Sequence, residues 1–150
     1  MIVTSNTDKA KWAMFLFLHS HGVELARSED FQAVGRLNAA GKLIAVVGYN
    51  GFSGRMCCMH VAGDGNWINR ELLFMAFHYP FVQADMVELT ALVAGDNARA
   101  LRLDKRLGFT ERYIIPDGWC PLVDLHVLSM RRQDCRWING AEKYEYLKVA

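Results

Sequence analysis

The chain has 150 residues, of which 52% are hydrophobic and 22% are charged. This length is sufficient for one domain with a substantial core, and the composition excludes a disordered, collagen-like or coiled-coil protein. The 17 Lys and Arg residues nearly balance the 16 Asp and Glu residues, for a formal net charge of +1. Neither nucleic acid nor an anionic membrane is therefore expected as the main partner.

The sequence predicts a soluble, cytoplasmic protein with a single domain at 1–150, present as a monomer or a homodimer. The first residues are polar, and the most apolar early run, 12–18, is far too short to cross a bilayer. Cys57 and Cys58 are adjacent, and a chain of this length does not need a disulfide framework. Their side chains would point to opposite faces of a strand, so no metal site is expected.

The first half of the chain predicts one helix followed by an antiparallel meander. Apolar periodicity and turn residues place the helix at 8–21 and the strands at 31–37, 42–49 and 55–62. The helix face expected to pack on the core is formed by Trp12, Phe15, Leu16 and His19.

The second half alternates strands and helices. The expected elements are a helix from 66 or 69 to 79, a strand at 86–94, a helix at 98–107, and strands at 109–115 and 122–130. Pro80 is expected to end the first of these helices, and Pro116, Asp117 and Gly118 to form the turn between the last two strands. This order implies parallel crossover units on an otherwise antiparallel sheet.

The most informative segment is the second of these helices with its flanking residues. Asn97 can cap it, and Gly108 can end it in the left-handed conformation. The pattern over 97–109 is Asn-x-x-Ala-x-x-Leu-x-x-x-Leu-Gly-Phe after an apolar strand. It resembles the late motif of the GCN5-related N-acetyltransferases (GNAT superfamily), and the element order over 8–138 is similar to that fold. The segment 128–137 also resembles the ends of small GNAT proteins, including some encoded by bacteriophages.

The resemblance implies an α/β fold with a mixed sheet, in which an antiparallel meander is followed by two splayed parallel strands, with helices on both faces. It also implies acetyl-CoA as the cofactor. The pantetheine arm of coenzyme A would lie in the gap between the splayed strands, along the backbone of Met59, Val61 and Ala62. The diphosphate would lie at the start of the next helix, where unpaired N–H groups and the helix dipole favour an anion.

The phosphate-binding loop departs from the family pattern. The segment 66–71 aligns with Gln/Arg-x-x-Gly-x-Gly/Ala but contains neither glycine, and Trp67 and Glu71 add bulk and negative charge. The earlier Gly63 and Gly65 could supply a tight turn. Asn97 aligns with a family residue that helps to hold pantetheine. The predicted cofactor-binding residues are Met59, Val61, Ala62, Asn66, Trp67, Ile68, Asn69, Arg70, Asn97 and Arg102.

Basic residues recur along one face of the helix at 98–107. Arg99, Arg102 and Arg106 have the spacing i, i+3 and i+7. They could contact the 3′-phosphate of coenzyme A, or they could form a solvated basic face.

Acetyl transfer to an amine requires the neutral amine. A lysine-like amine with a pKa near ~10.4 is neutral in about one in 10³ molecules at pH 7, a deficit of roughly 4 kcal/mol. A general base reduces that deficit, and His60 is the candidate, although it could also be a hydrogen-bonded sheet histidine with water removing the proton. A backbone N–H at a bulge at Val61 could stabilise the oxyanion.

Two catalytic residues of many relatives are replaced here. The position of the family glutamate holds Arg55, and the position of the tyrosine that protonates the leaving thiolate holds Asp104. Asp104 can donate a proton only if burial raises its pKa.

The sequence therefore predicts an acetyl-CoA-dependent N-acetyltransferase that acts on a primary amine of a small molecule or protein, with His60 and Asp104 as the catalytic residues. The alternative is a non-catalytic GNAT-fold module that binds a partner or self-associates. That alternative predicts an exposed apolar patch at Trp67, Phe74, Phe77 and Phe81. Trp119 could border a substrate pocket or pack between strands.

Overall fold

The computed structural model describes residues 1–25 and 28–145, so 26–27 and 146–150 of the predicted domain lie outside the described residues. Within the described ranges, no helix is long and apolar enough to cross a membrane. The elements are β1 (Ile2–Thr4), α1 (Asp8–Ser20), β2 (Gln32–Leu37), β3 (Leu43–Ser53), β4 (Met56–Gly63), α2 (Arg70–His78), a π-helical turn (Tyr79–Gln83), β5 (Glu88–Ala94), α3 (Ala98–Leu107), β6 (Thr110–Cys120), β7 (Val123–Arg131), a 3-10 turn (Arg132–Asp134) and α4 (Gly140–Lys143).

The strands form one mixed sheet in the order β1-β2-β3-β4-β5-β7-β6. Among the described strands, only β4 and β5 pair in parallel, and the other neighbours are antiparallel. The predicted fold class is therefore confirmed. The sequence pattern missed β1, because three residues are too few to show a period, and this strand pairs with β2 through Ile2 opposite Arg36.

Helices cover both faces of the sheet, but unequally. Because the connections β4-α2-β5 and β5-α3-β6 run in the same direction along the sheet, right-handed crossovers place α2 and α3 on the same face. The larger core lies there and includes Cys57, Leu72 and Leu107. On the other face α1 packs against β2, β3 and β4, where Leu18 and Val46 belong to a second core cluster.

The prediction for the packed face of α1 was correct for Phe15, which packs against the core on this side, and wrong for the other three residues. Met14 and Leu18 are buried, whereas Trp12 and Leu16 are each 46% exposed and His19 is exposed. The helix is apolar on most sides, so its period could not identify the packed face. Two strand glycines select that face instead, because they let α1 approach closely. A Cβ at Gly35 would lie 3.2 Å from Met14 Cε, and one at Gly48 would lie 2.7 Å from Leu18 Cδ1.

The α-helix after β4 ends at His78, one residue before the expected end, but Pro80 does not end the helical path. Asn69 caps α2 by accepting a hydrogen bond from Leu72 N at 2.8 Å, and the helical path continues beyond His78 into the π-helical turn. Pro80 has no N–H to donate to the carbonyl oxygen of Ala76 one turn earlier, and the Tyr49 hydroxyl donates to that oxygen at 2.7 Å instead.

The predicted turn at Pro116, Asp117 and Gly118 lies inside β6 as a register irregularity between Ile115 and Cys120. Asp117 holds this bulge in place, because its N–H donates to Asp124 Oδ1 at 3.1 Å and its own Oδ1 accepts from Leu122 N at 2.8 Å. The chain reverses after Cys120, so the β6–β7 hairpin is longer than the sequence indicated.

Candidate active site

The sheet opens between β4 and β5. These strands pair at three successive positions, of which the last joins Cys58 and Thr90. The Sγ and Oγ1 atoms of these two side chains are 3.1 Å apart. Beyond this position β4 stays paired with β3 and β5 with β7, and no further described pair joins β4 to β5. A gap therefore separates the two parallel strands.

A cavity of about 240 Å³ occupies this gap. Five of the predicted site residues line it, including both candidate catalytic residues: Met59, His60, Val61, Asn97 and Asp104. The gap thus brings together residues from β4 and from α3, which are distant in sequence.

The backbone of β4 offers unpaired polar groups to the gap. The carbonyl oxygen of Arg55 accepts a hydrogen bond from Val87 N at 2.8 Å, so this residue directs its backbone toward β5. Backbone direction alternates along a strand, and the groups of Met59 and Val61 therefore point into the gap. An extended ligand there could pair with them as a further strand would.

The structure has no bulge at Val61, because the β3–β4 register is continuous through the Val47–Val61 pair. The N–H of Val61 nevertheless faces the gap as a result of strand alternation. Ala62 is not brought to the gap. It pairs with Val46 of β3 and packs with the α1 cluster.

The two candidate catalytic side chains enter the gap from opposite sides of the sheet. His60 pairs with Gly48, whose position beneath Leu18 identifies the α1 side. Asp104 belongs to α3, which packs on the other side. The cavity therefore connects the two faces through the gap.

His60 makes one side-chain hydrogen bond, in which Nε2 lies 2.8 Å from Asn50 Oδ1. An amide oxygen only accepts, so Nε2 carries the hydrogen and Nδ1 keeps its lone pair. Burial lowers the pKa of His60 to about 4. The imidazole is therefore neutral at pH 7 and is a weaker base than its ordinary pKa suggested.

From the sequence, Asp104 could donate a proton only if burial raised its pKa, and the structure meets this condition. Its side chain is 7% exposed, and burial raises its pKa to about 6. Its backbone carbonyl receives the N–H groups of Gly108 and Phe109, but burial alone causes the pKa shift, with no hydrogen bond from a described side chain. The carboxyl is thus free to interact with a molecule in the cavity.

A second cavity, of about 290 Å³, lies beside the first, and Leu103 lines both. The loop before α2 forms one wall with Gly65, Asn66, Trp67 and Ile68. The other wall carries the three arginines of α3: Arg99, Arg102 and Arg106. The positive charge of these three arginines favours the binding of an anion in the second cavity.

The loop wall also presents unpaired N–H groups. Among the residues described, the backbone N–H groups from Gly65 to Asn69 have no hydrogen-bond partner, and the first N–H groups of α2 have none within the helix. The carbonyl oxygens of Asn66 and Trp67 accept from Arg36 Nη1 at 3.2 and 2.7 Å, which fixes the loop. The side chain of Asn69 caps α2, and Asn69 and Arg70 line neither cavity.

Trp67 packs into the core and leaves the second cavity open. It is 8% exposed and lies against Gly63, where a Cβ would collide with the indole ring. Phe77 and Phe81 are also fully buried, and Phe74 is partly buried. These four residues therefore do not form the exposed patch that the non-catalytic alternative predicted there.

Asn97 caps α3, since its Oδ1 accepts from Ala100 N at 3.1 Å, and the residue also lines the gap. Trp119 borders the gap and is 45% exposed.

Sequence reasoning missed Glu24 and Leu92, which line the same cavity. Leu92 could have been found from the alternation of β5, whereas Glu24 lies after α1 in a segment with no motif.

Comparison with known proteins shows similarity in structure only. No family model and no curated protein matches the sequence. Spermidine N-acetyltransferase from Vibrio cholerae in complex with CoA and spermine superposes with a TM-score of 0.71 at 15% identity, over 93% of this chain and 98% of that chain. The dodecameric structure of spermidine N-acetyltransferase from the same organism gives 0.69 at 12% identity, over 89% and 94%.

A point variant of the Vibrio cholerae enzyme gives a TM-score of 0.71 at 13% identity, over 99% of this chain and 98% of that chain. These likenesses establish the fold over nearly the full length. The chain has the fold of the GCN5-related N-acetyltransferases, with its opened parallel pair and its helices on both faces.

Proposed function

We propose that the protein is an acetyl-CoA-dependent N-acetyltransferase that acts on a primary amine. The observation that carries this proposal is a gap through the sheet that holds an unpartnered carboxyl and adjoins a cavity with three arginines and free N–H groups. The arrangement matches a long anionic molecule with an extended arm, which is the shape and charge of coenzyme A. Bound acetyl-CoA would supply the acetyl thioester.

The residues present fit this cofactor. The N–H and C=O groups of Met59 and Val61 would hold the pantetheine arm, and the N–H of Val61 would donate to an oxyanion in the gap. Asn97 adds an amide at the same wall. The phosphates would lie between the start of α2 and the arginine side chains, with Arg102 among them.

Asp104 would act as the proton donor. With a pKa of about 6, about one carboxyl in eleven carries a proton at pH 7, against fewer than about one in a thousand at the ordinary value of 3.8. A thiolate, whose conjugate thiol has a pKa near ~8.5, is a better proton acceptor than this carboxylate. Transfer from Asp104 to a leaving thiolate is therefore favourable.

His60 would bind the amine on the opposite side of the gap. Its Nδ1 is a fixed acceptor because Asn50 holds the hydrogen on Nε2. With a pKa of about 4, it cannot take a proton efficiently from a free ammonium ion. Water would remove that proton, and Nδ1 would accept a hydrogen bond from the neutral amine.

We place the enzyme in the cytoplasm as a monomer or homodimer. All four cysteines are free thiols, which fits a reducing compartment.

The proposal is tested by calorimetry with acetyl-CoA and by release of free thiol from acetyl-CoA in the presence of amines. The panel includes spermidine and spermine, because the similar solved structures are spermidine N-acetyltransferases. We expect saturable binding and amine-dependent thiol release. The absence of heat and of competition at millimolar acetyl-CoA would remove the proposal. Binding without turnover of any amine would favour the non-catalytic module.

A further inference from the structure

Within residues 1–25 and 28–145, no helix packs over one half of the sheet face on the α1 side, since α1 contacts β2, β3 and β4. Two rows of side chains cross β5, β7 and β6 there, and we call them the platform: Leu92, Val127 and Tyr113 in one row, and Ala94, Leu125 and Ile115 in the next. Their neighbours on β5 and β7, including Ala91 and Leu128, point into the core on the opposite side. The platform thus faces away from α2 and α3.

The platform is apolar, and three of its six residues are exposed, while Leu125 and Val127 are partly buried and Ala94 is buried. Tyr113 is 62% exposed, Leu92 43% and Ile115 41%. None of its six residues is charged. Of the charged side chains near it, Arg112 is bound to Ser129 Oγ at 2.7 Å, and Asp117 is occupied within the hairpin tip. A large exposed apolar surface of this kind is typical of a binding site.

The platform is continuous with the gap. Leu92 lines the gap cavity, and β5 forms the border between the gap and the platform. His60 also enters the gap from this side of the sheet, whereas α3 and its arginines lie on the other side. A molecule on the platform would therefore reach the gap opposite the proposed cofactor.

Few acidic side chains line the gap cavity on the side of the platform. Among the described residues that line the cavity, Glu24 and Asp104 are the carboxylates, and Asp104 comes from the far side. A polyamine carries several ammonium groups, and those lying on the platform would lose water without gaining a partner. An apolar group would instead be stabilised by burial against Leu92, Tyr113 and Ile115.

We propose that the acetyl acceptor is a primary amine attached to an apolar alkyl or aromatic body, which lies on the platform while the amine enters the gap beside His60. This inference rests on the proposed function and assigns the acceptor class that the proposed function leaves open. Glu24 would attract the single ammonium group to the opening.

The first experiment compares phenethylamine and hexylamine with spermidine and putrescine at saturating acetyl-CoA. We expect kcat/KM to be at least about tenfold higher for the two apolar amines, because even one additional methylene group buried in an apolar site is worth about tenfold or more. Equal or higher values for the polyamines would overturn the acceptor assignment and leave the acetyltransferase function standing.

The second experiment uses two adjacent isoleucines as a matched pair. Ile115 is on the platform, while Ile114 is 43% exposed on the opposite face, opposite His126. Ile115→Glu should raise KM for phenethylamine about tenfold and leave KM for acetyl-CoA unchanged. Ile114→Glu should change neither constant. Equal effects of the two variants on phenethylamine would overturn the proposal.

If the protein does not turn over any amine, direct binding of phenethylamine still tests the proposal. With coenzyme A present, phenethylamine should shift the NMR signals of Leu92, Tyr113 and Ile115, and the lack of such shifts at millimolar amine would overturn the proposal.

Sedimentation measurements test whether a second copy of the chain binds to the platform. If Ile115→Glu dissociates a dimer without altering the phenethylamine KM, the platform is a subunit interface and the acceptor assignment fails.

Discussion

Replacing Asp104 with asparagine is expected to make the protein more stable and less active at the same pH. The carboxyl is buried at the edge of the gap, and burial alone raises its pKa from 3.8 to about 6. An ionised carboxylate at this position is therefore poorly solvated. Asparagine has nearly the same shape and no charge, so it removes the cost of ionisation and the acidic proton together.

The pKa shift gives the size of the stability effect. About two pKa units correspond to roughly 3 kcal/mol. Since the folded protein holds this proton more tightly than the unfolded chain, the contribution to stability is present below pH 3.8 and is lost as pH rises through about 6. Above that pH, Asp104→Asn should be more stable than the unmodified chain by up to this amount.

Thermal unfolding followed by circular dichroism between pH 4 and 8 measures this difference. For a chain of 150 residues each kcal/mol changes Tm by roughly 2–4 °C, so a gain of about 6–12 °C is expected at pH 7 and little at pH 4. Asp96→Asn is the control, because Asp96 is exposed just before α3 and its replacement should leave Tm nearly unchanged. A pH-independent gain, or none, would refute the burial argument.

The same variant tests the proposed role of Asp104 in proton transfer. In kcat/KM, the neutral fraction of a lysine-like amine rises with pH up to about 10.4, while the protonated fraction of Asp104 falls above pH about 6. The two trends cancel, so the unmodified enzyme should show a plateau between these values. Asp104→Asn should be slower by about a hundredfold and should show a slope of +1 instead. Identical pH profiles would contradict the role as acid.

Three further predictions concern the cofactor cavity, the sheet histidine and the α2 cap. Arg102→Ala should raise KM for acetyl-CoA about tenfold but not KM for the amine, with a smaller effect at high salt, and equal effects on both constants would contradict a phosphate contact. His60→Gln should keep the shape of the pH–rate profile between pH 6 and 8, because burial lowers the pKa of His60 to about 4, and the loss of an inflection in that range would show that the imidazole titrates there. Asn69→Ala should lower the free energy of unfolding by about 1 kcal/mol in urea, and no change would show that the cap at Leu72 is not stabilising.

Local signals predicted α3 well. Asn97 accepts from Ala100 N and caps the helix, and Gly108 ends it with a φ of 115°. Both features depend on residues within one turn of the helix end, so the sequence contains nearly all the required information. The same short segment carried the resemblance to the acetyltransferase fold.

Features that depend on distant contacts were not predictable. The packed face of α1 was decided by Gly35 and Gly48 on strands that follow it in sequence. Trp67 looked like an obstacle to phosphate because its residue type was known but its neighbours were not. In the structure it packs against Gly63, and the Arg36 side chain fixes the adjacent loop. The packed face of α1 and the position of Trp67 both depend on tertiary contacts with the sheet, which the local sequence does not reveal.

The division of roles in the proposed reaction follows from two regularities of the fold. Crossover handedness puts α2 and α3 on one face, so the arginines and the loop before α2 lie on the same side of the gap. Strand alternation then separates the functions along β4, because Met59 and Val61 direct their backbone groups into the gap while His60 directs its side chain to the opposite face. A cofactor and an amine approaching from opposite sides would thus meet at adjacent residues of one strand. A one-residue shift of β4 would reverse this parity, so the proposed site depends on the β3–β4 register as well as on the His60 side chain.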